Sequence, residues 1–329
     1  MGDGQETRIG VVAIGRNEGE RLRKCFLSVV GQVAKVIYVD SGSSDGSVAM
    51  ARSLGVEVVE LDMSIPFTAA RARNEGFRRL CAVMPKLSYV QFVDGDCEVE
   101  LNWLSKAALF LDHHGDVAVT CGRRRERFPD HSIYNMLCDI EWNTPVGQAK
   151  SCGGDAMMRI GAFEQAGGYR DSLIAGEEPE LCVRLRAAGW KIWRLNEEMT
   201  LHDAAITRFG QWWKRAKRCG YAYAEGAYLH GASPERHRIR ESRRVWVWGL
   251  GIPVLAAILV VWLGTYGLLL LLAYPAQVIR LALRGTLPVR ENWWYALFLV
   301  LGKFPEMTGQ LEFLYNRLSR KTARLIEYK

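Results

Sequence analysis

Tyr89-Val90-Gln91-Phe92-Val93-Asp94-Gly95-Asp96 decides how this chain is read. Its first five positions form a mostly apolar run with the length of a buried strand, and its last three place two carboxylates one residue apart where that strand ends. At the carboxyl end of a strand in an open α/β sheet, side chains project into the crevice where such sheets bind ligands. Paired carboxylates there suit a hard divalent cation, Mg2+ or Mn2+, which binds through oxygen and neutralises a diphosphate. Alone, Asp-Gly-Asp is more often a plain turn, so the surrounding sequence has to decide.

Working outward, strand-like and helix-like patterns alternate from Arg8: strands over 9–14, 35–39, 56–61 and 87–93, with helical spacing over 20–30, from Ser44 or Asp45 to Leu54-Gly55, and over 68–83. Such alternation predicts βαβ units and a Rossmann-like, mostly parallel sheet. Neither G-x-G-x-x-G after the first strand nor G-x-x-x-x-G-K-[ST] occurs, which disfavours a dehydrogenase or a P-loop ATPase. Polar clusters fall at the strand ends instead. Asn17 and Glu18 follow the first strand, and Asp40, Ser43 and Asp45 follow the second, where they could hydrogen-bond a base and ribose. Cap and turn duty is the alternative for Asp45 and Ser47. Arg71, Arg73 and Asn74 stand near a helix start and could meet a diphosphate, a solvated basic face being the alternative.

Of 329 residues, 49% are apolar, enough for a sizeable core in one large or two ordinary domains. Eight cysteines without a C-x-x-C pair argue against structural zinc and against a secreted disulfide framework, and for a reducing compartment. Residues 1–8 are polar and lead into a strand, so no cleavable signal peptide is expected. From Val245 to Ile279 no residue is charged. As one helix this run would be roughly 52 Å long, far beyond the ~30 Å hydrocarbon core. Splitting it at Gly264-Thr265-Tyr266-Gly267 predicts a membrane hairpin within 236–291, with spans at about 245–263 and 266–283; a tilted single helix or a re-entrant pair is the alternative. Arg238, Arg240, Arg243 and Arg244 precede the run and Arg280, Arg284 and Arg290 follow it, so the positive-inside rule puts both ends in the cytoplasm. Residues 292–329 are expected to form an interfacial and basic tail on anionic lipid, carrying Arg317, Arg320, Lys321 and Arg324. The net charge of +7 then needs no nucleic-acid partner.

In order, Val11-Val12-Ala13-Ile14-Gly15-Arg16-Asn17-Glu18, Val39-Asp40-Ser41-Gly42-Ser43-Ser44-Asp45-Gly46-Ser47, Ala70-Arg71-Ala72-Arg73-Asn74-Glu75-Gly76 and Val93-Asp94-Gly95-Asp96 resemble the N-terminal half of a family 2 glycosyltransferase with the GT-A nucleotide-sugar fold. Gly153-Gly154-Asp155, Gly167-Gly168-Tyr169 and Gly176-Glu177-Glu178-Pro179-Glu180-Leu181-Cys182-Val183-Arg184 extend the resemblance over roughly 8–230, and the apolar C-terminal segment is similar to that of membrane-attached, exopolysaccharide-type members. The resemblance implies a cytoplasmic catalytic domain over 1–235 followed by membrane helices. It implies a divalent cation, Mg2+ or Mn2+, held by Asp94 and Asp96, with His202 as a further metal or diphosphate contact. Nucleotide would be bound by Asn17, Glu18, Asp40, Ser43, Asp45, Arg71, Asn74 and Asp94, and acceptor or donor sugar by Gly154, Asp155, Trp212, Trp213 and Arg215; a place at the membrane interface or core packing is the alternative for the tryptophans, and phosphate or lipid head groups for Arg215. The catalytic base would be Glu178, with Glu177 beside it. The family usually has Asp at the position of Glu178, so the choice among Glu177, Glu178 and Glu180 stays open. Gln211-Trp212-Trp213-Lys214-Arg215 differs in order from the Q-x-x-R-W motif of processive synthases, and processivity is not expected. The implied activity is inverting, metal-dependent transfer from a nucleotide sugar, expected to be a UDP-sugar, to a lipid-linked or polysaccharide acceptor at the cytoplasmic membrane face. A polyprenyl-phosphate sugar synthase and a catalytically silent nucleotide-sugar-binding scaffold are the alternatives.

Overall fold

The computed structural model describes residues 8–321 and residue 326; Arg324 of the expected basic tail lies outside them. The chain divides into two compact units, Met1–Ala205 and Ile206–Lys329. In chain order the first runs β1 (Ile9–Gly15), α1 (Glu20–Leu27), β2 (Lys35–Asp40), α2 (Ser47–Ser53), β3 (Glu57–Glu60), α3 (Ala69–Val83), β4 (Tyr89–Asp94), β5 (Cys97–Val99) and α4 (Trp103–His113). It continues with β6 (Val117–Glu126), α5 (Ile133–Trp142), β7 (Gly147–Ala149), β8 (Ala156–Arg159), α6 (Ile160–Gln165), α7 (Glu177–Ala187) and β9 (Lys191–His202).

Among the described residues, one sheet of nine strands carries the order β3-β2-β1-β4-β8-β6-β9-β5, with β7 on β9. The half β3-β2-β1-β4 is parallel, as the alternation predicts, and the Val, Ile and Tyr runs of β1, β2 and β4 are buried on both faces. Helix α3 lies close on β1 and β2: a Cβ on Gly76 would come within 2.4 Å of the Val12 side chain and 2.8 Å of that of Val39. Beyond β4 the sheet is mixed. β8 runs antiparallel to both β4 and β6, β9 runs parallel to β6, and β5 and β7 run antiparallel to β9. In register, Asp40 lies opposite Gly15 and Asp94 opposite Ile14, so the polar clusters after β1, β2 and β4 open at one edge of the sheet.

The second unit is helical: α8 (Phe209–His230), α9 (Ile239–Trp246), a π-helical turn over Val247–Gly251, α10 (Ile252–Leu263), a 3-10 segment over Gly264–Leu272, α11 (Ala273–Arg284), α12 (Val289–Leu301) and α13 (Lys303–Leu318). Helix α8, read from sequence as part of the catalytic domain, packs here on α13. Two glycines let the helices approach. A Cβ on Gly220 would lie 1.9 Å from the Glu306 carbonyl oxygen, and one on Gly309 would lie 2.0 Å from that of Lys217. Gly309→Val is therefore expected to destabilise this unit by about 1–3 kcal/mol, read as a lowered thermal midpoint in detergent. Gly210→Ala, at a helical position with open space around it, should leave the midpoint unchanged or raise it.

The stretch Ile239–Arg284 is long and apolar enough to cross a membrane. Its backbone is helical almost throughout, yet it folds back on itself at Gly264, whose φ is 60°. A Cβ on Gly267 would lie 2.3 Å from the Val260 nitrogen, and the Tyr274 hydroxyl donates to the Trp248 carbonyl at 2.5 Å. In a straight helix those last two residues would be roughly 39 Å apart.

Candidate active site

The β5–β9 pairing sets Cys97 opposite His202 and brings Asp96 to the imidazole. Asp96 Oδ2 lies 3.3 Å from His202 Nε2, and His202 Nδ1 lies 3.5 Å from Glu126 Oε2. Glu126 is itself fixed by the Ala204 and Phe128 amides and by the Asn135 side chain, while Trp142 meets the imidazole edge-on at 4.7 Å. An imidazole oriented by a buried carboxylate is how metal-binding histidines are usually supported. Donor atoms of Asp96, Cys97 and His202 lie within 4.8 Å of one another. The carboxylate oxygen and imidazole nitrogen fit Mn2+ or Mg2+, with imidazole favouring Mn2+.

Asp94 is placed differently. With 27% of its side chain exposed, it accepts from Arg73 Nη2 at 2.6 Å and from Arg124 Nη2 at 3.3 Å. Burial would raise its carboxyl, but the two guanidinium groups outweigh that and hold it below the usual carboxylate range. Asp155 has its carboxylate engaged within the fold: Oδ1 accepts from the Asp94 amide at 3.0 Å and Oδ2 from Thr200 Oγ1 at 2.9 Å. These bonds position the end of β4. Gly154 leaves room for the same network, since a Cβ there would lie 2.7 Å from Arg73 Nη2.

Helix α7 starts after Gly176, in the left-handed region at φ 78°, and its first turn carries Glu177, Glu178 and Glu180, favoured there by the macrodipole. The three have different partners. Glu177 Oε1 accepts from Arg73 Nη1 at 2.7 Å, so Arg73, only 3% exposed, bridges Asp94 and Glu177. Glu180 pairs with Arg184 and Arg170. Glu178, 4% exposed, has its Oε1 held by the Cys152 amide at 2.6 Å and by the Cys152 and Cys182 thiols at 2.9 and 3.0 Å. Burial is the main reason its carboxyl is raised to about 7. A buried glutamate poised near neutrality is suited to accept a proton.

Other sequence candidates hold loops together. Asn17 accepts from the Ser44 amide at 2.7 Å while its own amide donates to Ser43 Oγ at 2.9 Å. Asp45 accepts from the Gly19 and Ser47 amides and from Ser47 Oγ, the cap and turn alternative. Asp40 is buried, with Oδ1 accepting from the Tyr38 hydroxyl and Oδ2 from the Gly42 and Ser43 amides. Glu18 pairs with Arg21 at 2.7 Å. Arg71 donates to the Asp62 and Ile65 carbonyls, and Asn74 ties α3 to Tyr169 and Asp171. Arg73 is the member of that cluster that touches both Asp94 and Glu177. Trp212, Trp213 and Arg215 lie on α8 in the second unit. Trp212 is buried edge-on against Phe298 at 4.8 Å.

Arg124 and Glu126 were missed. Arg124, stacked over Trp142 at 4.8 Å, belongs to a run of three arginines that reads as a charged surface.

Residues 11–163 match the profile of Glycosyl transferase family 2. Among curated relatives, glycosyltransferase AglE of Haloferax volcanii is 24% identical over 62% of this chain and 69% of its own length. The succinoglycan biosynthesis protein ExoA of Rhizobium meliloti is 30% identical over 49% of this chain, which spans 51% of that protein. Among solved structures, the mannosyltransferase PcManGT from Pyrobaculum calidifontis, in complex with GDP-Man and Mn2+, has a TM-score of 0.60 at 15% identity, over 94% of this chain and 88% of that one. TarS residues 1–349 of S. aureus give 0.52 at 12% identity, over 94% and 91%. With a parallel β3-β2-β1-β4 half-sheet that opens its acidic edge beside α7, and with these likenesses in sequence and fold, the chain has the GT-A fold, and over residues 11–163 it is similar to glycosyltransferase family 2.

Proposed function

We propose that the first unit transfers one sugar from a nucleotide-sugar donor, with inversion and with a divalent cation, to a hydroxyl of a lipid-linked or polysaccharide acceptor at the cytoplasmic membrane face. One observation carries this reading: Arg73 clamps Asp94, at the acidic end of β4, to Glu177, next to the near-neutral Glu178. The ion-binding edge and the base are thus built as one unit. Asp96 and His202 would hold Mn2+ or Mg2+, which when bound stabilises charge on a departing diphosphate. Asp94, with Arg73 and Arg124, fixes the adjoining edge. Glu178 accepts the acceptor hydroxyl's proton as that oxygen attacks the anomeric carbon. Because the chain supplies a base and no enzyme nucleophile is invoked, displacement is single and configuration inverts. The presence of GDP-Man and Mn2+ with PcManGT and the name of ExoA support a nucleotide-sugar donor, a cation and a polysaccharide route. UDP-sugars are the first donors to try, then GDP-mannose. The apolar arms that reverse at Gly264 would seat the unit on the bilayer, both ends cytoplasmic.

The test is nucleoside diphosphate release by detergent-solubilised protein across a panel of nucleotide sugars with Mn2+ or Mg2+. Asp96→Asn is expected to lower release from the accepted donor roughly 10³-fold. Release that Asp96→Asn leaves intact would overturn the metal assignment, and a product of retained anomeric configuration would overturn single displacement. A reporter fused after residue 329 should be cytoplasmic; a periplasmic signal would sink the hairpin placement.

A further inference from the structure

We propose that Cys152, Glu178 and Cys182 form a second metal site, separate from Asp96 and His202, that takes a soft divalent cation such as Zn2+ or Cd2+. Both thiols converge on one oxygen, Glu178 Oε1, at 2.9 and 3.0 Å, and the three donor atoms lie within 4.8 Å of one another. Around zinc, bonds of about 2.3 Å to sulfur and 2.0 Å to oxygen set sulfur–oxygen separations of roughly 3.5 Å, so ligation asks these donors to part by about half an ångström. The fold permits that. Cys182 and Glu178 stand one turn apart on the same face of α7, while Cys152 lies on the segment between β7 and β8. Selectivity follows from the number of thiolates: two with a carboxylate prefer Zn2+ and Cd2+, whereas Asp96 and His202, with the single thiol of Cys97 beside them, offer chiefly the oxygen and nitrogen that serve Mn2+ or Mg2+. On binding, each thiol releases its proton to solvent as its sulfur–metal bond forms. Cysteines 30 residues apart without C-x-x-C spacing give no motif, which is why the sequence argued against zinc.

The consequence for transfer rests on Glu178 being the base: a soft cation here would occupy the oxygen that takes the acceptor's proton and so inhibit the enzyme. The binding test needs no turnover, so its failure is distinguishable from failure of the base assignment. Reduced full-length protein in detergent is titrated with Cd2+ while the thiolate-to-cadmium charge-transfer band is followed in the ultraviolet. Saturation is expected at one equivalent, with apparent affinity lowered at least tenfold in Cys152→Ser and in Cys182→Ser, and unchanged in Cys97→Ser. No band at saturation, or a band lost in Cys97→Ser and kept in the other two, overturns the site. Cooperative thermal unfolding checks each variant. Should one fail it, the cadmium NMR shift of the wild type decides: a two-sulfur environment supports the site and an oxygen–nitrogen environment overturns it. Zn2+ added to an assay saturated with Mn2+ should then inhibit transfer; undiminished transfer would sever the site from the base.

Discussion

Glu178→Gln should lower kcat by roughly 10²–10⁴, the range a positioned general base contributes, and should flatten the pH dependence of what remains. The amide is nearly isosteric and can still accept from the Cys152 amide, but it cannot take a proton. In the wild type the carboxyl, raised to about 7 chiefly by burial, must be ionised to work, so kcat should climb with pH up to about 7 and then level off. The variant should lack that climb. Single-turnover transfer measured across pH, with saturating donor and cation, checks both parts. A wild-type limb that persists in Glu178→Gln would move the base elsewhere, Glu177 being next in line.

The same carboxyl makes a stability statement of opposite sense. Unfolded, it ionises near the ordinary glutamate value of about 4.3; folded, it holds its proton until about 7. Its contribution is therefore fully present below pH 4 and is lost as pH rises through 7. At pH 8 the ionised group costs roughly 3 kcal/mol relative to pH 4. Urea midpoints should thus fall less between pH 5 and 8 in Glu178→Gln than in the wild type. Equal falls would mean that the residue is not buried in the way its bonds to Cys152 and Cys182 indicate.

How much of this was legible depended on whether the deciding contact was local. The strands β1 to β4 alternate with helices at ordinary spacing, and polar residues at strand ends mark an edge, so Asp94 and Asp96 stand out in the sequence, whereas the α7 glutamates, which by themselves read as an acidic helix start, stand out only through the family resemblance. His202 was named too, although β9 continues through Asn196-Glu197-Glu198, which reads as a turn; the pairing with β6 shifts register instead. That irregularity also hid Arg124. Period-two alternation cannot say which of Arg123, Arg124 and Arg125 points inward when register shifts fall between Cys121 and Arg123 and again between Arg123 and Arg124. The Arg71 and Arg73 pair divides for a helical reason. Two positions apart on a helix means about 200° apart, so they cannot share a target, and sequence gave no way to choose. Trp212 could be neither platform nor core until its partner, 86 residues away, was placed.

Arg73 is where structure changes the expectation most, and Arg73→Met should cost about 3–5 kcal/mol of stability, the usual effect of removing one partner from a buried ion pair. The methionine fills much of the volume but leaves Asp94 and Glu177 without the cation that bridges them. Arg124 still reaches Asp94, at 3.3 Å, but among the described residues only Arg73 touches both carboxylates. Arg73→Lys should recover only part of the loss, because one ammonium cannot reproduce two separately aimed N–H groups. The sign with pH is fixed by Asp94. Its folded value lies below the usual range, so its pairing stabilises the protein above the unfolded value near 3.9 and the benefit is lost as pH falls further. The gap between wild type and Arg73→Met, measured by urea unfolding, should therefore be widest at neutral pH and narrow below pH 4. Donor turnover should fall alongside, since the same guanidinium ties the acidic edge to the helix of the base. A variant that keeps wild-type stability at pH 7 and narrows no gap in acid would show that the two ends of the site are held together by something other than Arg73.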